Sequence, residues 1–146
     1  MSYFIKTILY DKNTTNAEIE NEIELQKISA NHGLSPKIIS YQFNEMNCII
    51  KMENLNEMCL ADKYGDLPEH ITNELWEQIH DIIEYLYETE GIEYIDITPY
   101  NFIEKEGKVY IIDFGHAKYI KEGKEINWFL KEFIEDGINE WNPDFK

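Results

Sequence analysis

Asp96 and Asn101 stand in the order D-x-x-x-x-N within residues 93–118, which read EYIDITPYNFIEKEGKVYIIDFGHAK. Further on, an apolar run of Val109, Tyr110, Ile111 and Ile112 delivers Asp113-Phe114-Gly115. A carboxylate and an amide on a tight loop, joined by a second carboxylate at the end of a buried strand, suit the binding of metal-complexed phosphates. Each residue alone has a plainer reading. Asp96 beside Thr98-Pro99 could cap a turn, Asn101 could sit in the same turn, and Asp113 before Gly115 could mark a strand exit. Their joint occurrence in this order, after a long helical stretch ending at Gly91, is poorly explained by coincidence.

This arrangement resembles the catalytic segment of protein kinases. The resemblance implies that Asp96 accepts the proton of an attacking hydroxyl and that Asn101 and Asp113 hold Mg2+ (or Mn2+). It extends over residues 3–119. Lys6, in Phe4-Ile5-Lys6-Thr7-Ile8, is similar to the kinase lysine that reaches the phosphates of ATP. Taken alone, it reads more simply as an outward lysine on an edge strand. The family pairs that lysine with a helix glutamate, and Glu18, Glu20, Glu22 and Glu24 are the candidates. Glu22 is favoured because Ile19, Ile23 and Gln26 place it near the inward face; Glu24 is the alternative. Met52-Glu53-Asn54, followed by Leu55, resembles the hinge whose backbone groups bond the adenine edge. Thr98 stands where most serine/threonine kinases carry lysine, as it does in small atypical kinases and aminoglycoside-type phosphotransferases. Tyr94-Ile95 replaces the usual His-Arg pair, so control through a phosphorylated loop loses its anchor. His116 reads as exposed and not a catalyst, and His32, His70 and His80 as surface or cap positions.

The family likeness is to a shortened version. The glycine-rich loop and its strands do not precede Lys6 in this sequence. Each charge-assisted bond they would give the phosphates is worth ~1.5–3 kcal/mol, so weak ATP binding is expected. No Ala-Pro-Glu motif follows Gly115, so an acceptor would be held by the last helix, a partner or a small open cleft. Two functions follow. One is a minimal ATP- and Mg-dependent phosphotransferase, protein serine/threonine kinase-like, acting on an unknown protein or small hydroxyl compound. The other is a catalytically inactive pseudokinase that binds nucleotide or protein through its acidic surface or its aromatic tail (Trp128, Phe129, Phe133, Trp141, Phe145). That tail reads first as core. A homodimer formed through the edge strand is a third arrangement. So short a kinase-like chain suggests the compact genome of a large virus.

The elements that must position these residues follow an α+β order. A strand over 3–10, a turn over 11–16 and a helix capped by Thr15 or Asn16 and stopped by Gly33 come first. Strands over 38–43 and 47–52 form a hairpin with a glycine-free loop. A short helical piece over 57–64, a long helix over 69–90 starting at Pro68, two strands flanking Glu106-Gly107 and an amphipathic helix over 124–137 complete the chain. The expected architecture is a truncated protein-kinase-like fold: a small antiparallel sheet plus one helix, then a mainly helical lobe with a catalytic-loop hairpin. It is one domain, 1–146, with a reduced amino lobe over 1–53 and a reduced carboxy lobe over 54–146. The chain carries 29 acidic against 13 basic residues, a net charge of −16. Such a surface repels nucleic acid and anionic membranes and makes a nucleotide site depend on a divalent cation. Cys48 reads as core, Cys59 pairs with it in no zinc-like spacing, and no signal or spanning segment is legible. The expected location is cytoplasmic, as a soluble intracellular protein.

Overall fold

The computed structural model describes residues 2–11 and 14–145. Strands β1 (Tyr3–Leu9), β2 (Ile38–Phe43) and β3 (Asn47–Glu53) form an antiparallel sheet in the order β1-β3-β2. Along β3, Cys48, Ile50 and Met52 are buried and the residues between them are half-buried, the alternation of a strand with one face on a core. That face meets Ile19 and Ile23 of helix α1 (Asn16–Asn31). Thr15 begins α1 by accepting the Glu18 N–H, as one of the two expected caps. The β2–β3 loop closes without glycine: the Asn44 N–H donates to Asn47 O at 2.8 Å and Asn44 Nδ2 to Asn47 Oδ1 at 2.9 Å. Register is thereby set with Phe43 opposite Cys48. Of the turn expected over 11–16, residues 12 and 13 lie outside the described residues.

A larger core surrounds helix α3 (Asn73–Glu88), which buries Leu75, Trp76, Ile79, Ile82, Ile83 and Leu86. This helix starts later than the expected residue 69. Pro68–His70 form a 3-10 turn, Ile71 is extended and buried, and the Thr72 side chain accepts the Leu75 N–H. A hydroxyl cap beats a proline start because it satisfies an otherwise free amide while Ile71 enters the core. Helix α2 (Leu60–Lys63) is likewise shorter than the expected 57–64. Cys59 forms an isolated β-bridge with Ile103, which holds the chain extended up to that point.

Strands β5 (Phe102–Lys105) and β6 (Lys108–Ile111) pair as the expected hairpin, with Glu106 and Gly107 both at positive φ. Strands β4 (Ile92–Glu93) and β7 (Lys118–Tyr119) also pair, and were not foreseen because two residues carry no period. Helix α4 (Trp128–Asp136) begins where Asn127 Oδ1 accepts the N–H groups of Phe129 and Leu130, and Gly137 ends it at φ 62°. His80 is half-buried: its ring stacks on Phe133, with centroids 4.0 Å apart, where α3 and α4 pack face to face, while its Nε2 lies 3.0 Å from Asn139 Oδ1 at the surface. Bonds that join the sheet-and-helix part to the rest include Ser35 Oγ donating to Ile111 O at 2.6 Å, the Ile111 N–H donating to Leu34 O at 2.8 Å and Asn21 Nδ2 donating to Ala117 O at 3.2 Å. Among the described residues no helix is long and apolar enough to cross a membrane.

Candidate active site

Lys6 points toward α1 from β1, opposite Ile50 in the ladder. Its Nζ lies 2.5 Å from Glu22 Oε2 and 3.6 Å from Asp113 Oδ1. Of the four candidate glutamates it is therefore Glu22, buried on the inner face of α1, that meets the lysine. Burial works to lower the Lys6 pKa, but the Glu22 and Asp113 carboxylates outweigh it and the net shift is upward. Lys6 is held as a cation between two anions.

Asp113 adopts φ 62°, a left-handed conformation that costs most residues ~1–2 kcal/mol and that Asp tolerates better. Its Oδ1 accepts the Gly115 N–H at 3.1 Å. A Cβ at position 115 would stand 3.2 Å from both Asp113 Oδ1 and Glu22 Oε1, so any side chain there would push these carboxylates by a few tenths of an ångström.

The loop carrying Asp96 and Asn101 is tied back on itself. Asn101, buried, donates from Nδ2 to Asp96 O at 2.9 Å, and its own carbonyl accepts the Ile112 N–H at 2.9 Å. The second bond joins the loop to the segment that delivers Asp113. Tyr94, which sequence reasoning saw only as a departure, makes the same connection: its hydroxyl donates to Ile112 O at 2.6 Å and its ring meets Phe114 edge-on. Burial raises the Asp96 pKa and the nearby Asp113 charge adds to this, while hydrogen bonding from Asn101 and His116 opposes it. His116 is exposed as expected, yet its Nδ1 lies 3.4 Å from Asp96 Oδ2. No periodicity signals such a contact; only its place one residue after Gly115 could have suggested it.

A cavity of about 340 Å³ is lined by Lys6, Met52, Glu53, Asn54, Asn101 and Asp113, together with Leu55 and Tyr100. Glu22 and Asp96 are not among its lining residues; they reach it through Lys6 and Asn101. The Glu53 N–H is already given to Lys37 O at 2.9 Å, so that donor is not free for a ligand. Among the described residues there is no cluster of three or more His, Cys, Asp or Glu able to hold a metal ion. Mg2+ needs none: it is commonly held by one or two side-chain oxygens plus phosphate oxygens and water. Asn101 and Asp113, an amide and a carboxylate facing one cavity, fit that donor set.

A small antiparallel sheet with one helix, set against a mainly helical body across a charged cavity, defines a protein-kinase-like fold in shortened form. Residues 1–135 match the protein kinase domain, and the chain belongs to that family. Among curated relatives, it is 40% identical over 68 residues to mouse sperm motility kinase 3A, a match covering 46% of this chain and 13% of the relative. Mouse sperm motility kinase 2B is 38% identical over 66 residues, covering 44% of this chain and 13% of the relative. The chain thus spans a small part of these longer proteins.

Proposed function

We propose that this chain is a minimal ATP- and Mg2+-dependent phosphotransferase that moves the γ-phosphoryl group to a hydroxyl, in the manner of a serine/threonine kinase. The observation that carries this reading is Lys6 Nζ lying between Glu22 and Asp113 at the edge of a cavity that Asn101 also lines. Lys6, steered by Glu22, would bind the α and β phosphates. Asn101 and Asp113 would hold Mg2+, which when bound neutralises charge building on the phosphoryl oxygens. Asp96 would orient the acceptor hydroxyl and take its proton as the oxygen bonds to the γ-phosphorus and the bond to the β–γ bridging oxygen breaks, releasing ADP. With the Glu53 amide engaged, adenine recognition falls to the backbone at Asn54 and Leu55 beside Met52. We place the protein in the cytoplasm, where ATP is plentiful and its two unpaired cysteines stay reduced. Its charge argues against nucleic acid and anionic lipid as partners.

A second reading, a nucleotide- or protein-binding pseudokinase, is favoured by one feature. Phe4 lines the cavity yet is 52% exposed, so the β1 side stays open and a bound nucleotide is weakly covered. The adjoining edge of β1, with Tyr3 and Ile5 exposed, is where a second copy would pair.

The test begins with thermal shift by ATP, with and without Mg2+ or Mn2+. A ligand confined to the folded state raises Tm in proportion to ln(1 + [L]/Kd). A metal-dependent shift that Asp113→Asn abolishes, with transfer of γ-phosphate that Asp96→Asn abolishes, supports the phosphotransferase. A shift without transfer, identical in wild type and Asp96→Asn, supports the binding module. Light scattering at working concentration checks the dimer, which a monomeric mass would remove.

A further inference from the structure

A second cavity bears on where the acceptor sits, a question the phosphotransferase reading leaves open. A groove of about 400 Å³ runs beside the Asp96–Asn101 loop, floored by Thr98 and walled by Tyr100, Trp141 and Phe145. Tyr100 lines both this groove and the candidate nucleotide cavity. At its other end the Phe145 ring lies 5.1 Å from the His116 ring, and His116 Nδ1 lies 3.4 Å from Asp96 Oδ2. The groove therefore adjoins the nucleotide cavity through the Tyr100 ring and approaches the candidate base through Phe145 and His116 in series.

Its tail-derived wall is built in. Asn142 is 1% exposed; its N–H donates to Ile97 O at 2.9 Å and its Nδ2 to Ile95 O at 2.8 Å, on either side of Asp96. Trp141 packs on Trp76 with ring centroids 4.4 Å apart. Two acidic side chains line the groove, Asp66 and Glu140, and both are exposed.

We infer that this groove is the acceptor site and that it takes a cationic polypeptide segment carrying serine or threonine. The inference rests on the phosphotransferase reading for the word acceptor. Charge complementarity chooses the sign: two carboxylates, with no lysine or arginine among the described residues that line the groove, on a chain of net charge −16, attract arginine and lysine. The aromatic walls suit the same side chains, whose apolar stems lie along rings and whose heads gain from cation–π attraction. Small-molecule pockets bury most of their ligand; a trough open to solvent suits a chain passing through.

The experiment measures binding of two fluorescent serine peptides, one flanked by arginines and one by glutamates, at low salt and without nucleotide. The full chain is used, as wild type, Asp66→Asn/Glu140→Gln, and Glu20→Gln/Glu132→Gln as an equal charge change on remote exposed positions. Wild type should prefer the arginine peptide by about tenfold, the scale of a few exposed charge pairs acting together. Asp66→Asn/Glu140→Gln should lose most of that preference while keeping its Tm, and the remote pair should retain it. Equal affinity for the two peptides, or identical behaviour of the two double variants, overturns the inference. A parallel thermal shift with Mg·ATP separates the failures. Mg·ATP binding without peptide preference sinks the groove alone; peptide preference without Mg·ATP binding leaves a cationic-peptide groove and sinks the phosphotransferase.

Discussion

At the scale of single residues, the site is a small set of charges whose ionisation is set by position. Asp96 can take a proton only as the carboxylate. If it serves as the proposed base, its raised pKa should place the acid limb of kcat/KM above the ordinary carboxylate value of 3.8, with activity lost as pH falls through it. His116 is among the groups that hold this pKa down. Replacing it with Gln in His116→Gln should raise the Asp96 pKa and move the acid limb to higher pH. The limb is read from log kcat/KM against pH for acceptor phosphorylation. A limb that stays where it is in the variant would show that His116 does not act on Asp96.

At the scale of elements, placement depends on bonds between segments that are short in themselves. The Asp96–Asn101 loop and the strand leading to Asp113 are joined by the Asn101 carbonyl and by the Tyr94 hydroxyl, both reaching Ile112. Removing the hydroxyl in Tyr94→Phe keeps the ring against Phe114 and leaves the half-buried Ile112 carbonyl without that donor. The expected cost is ~1–3 kcal/mol of stability by urea denaturation. Phosphoryl transfer should fall more than Mg·ATP affinity does, because the bond joins the candidate base to the candidate metal ligand. Equal stability and equal transfer would show that the ring alone holds the two segments.

At the scale of the whole molecule, the tail packs against the core and is not a detachable arm, although Trp128, expected with it as core, is 49% exposed. Trp141 packs on Trp76 and near Phe102, and Asn142 bonds two carbonyls of the Asp96 loop. Removing residues 138–146 should lower Tm by about 5 °C or more. Two lost hydrogen bonds are worth ~1 kcal/mol each, each kcal/mol shifts Tm by ~2–4 °C at this length, and the exposed rings add to the loss. A truncated protein of unchanged Tm would make the tail an appendage and return it to partner binding. Mg·ATP binding should weaken with the same truncation, since the loop carrying Asn101 loses its support.

Much of this was legible without coordinates. Spacing along the chain placed Asp96, Asn101 and Asp113 in one segment, composition and short apolar runs located β1 and β3, and helical periodicity located α1, α3 and α4, because burying one face of a helix imposes a period on the sequence. The same periodicity favoured Glu22 over its neighbours. Element ends were less legible: Thr72 displaced Pro68 as the start of α3, and the Cys59–Ile103 bridge cut α2 short, since caps and bridges depend on partners distant in the chain. The pairing of β4 with β7, the stacking of His80 on Phe133, the approach of His116 to Asp96 and the groove between Asp66 and Phe145 are contacts across long sequence separations that leave no local pattern. Sequence by itself determined the kinds of residue available for chemistry and the elements that carry them. Tertiary packing decided which of those residues meet, because distance in space is set by how the faces of separate elements bury one another.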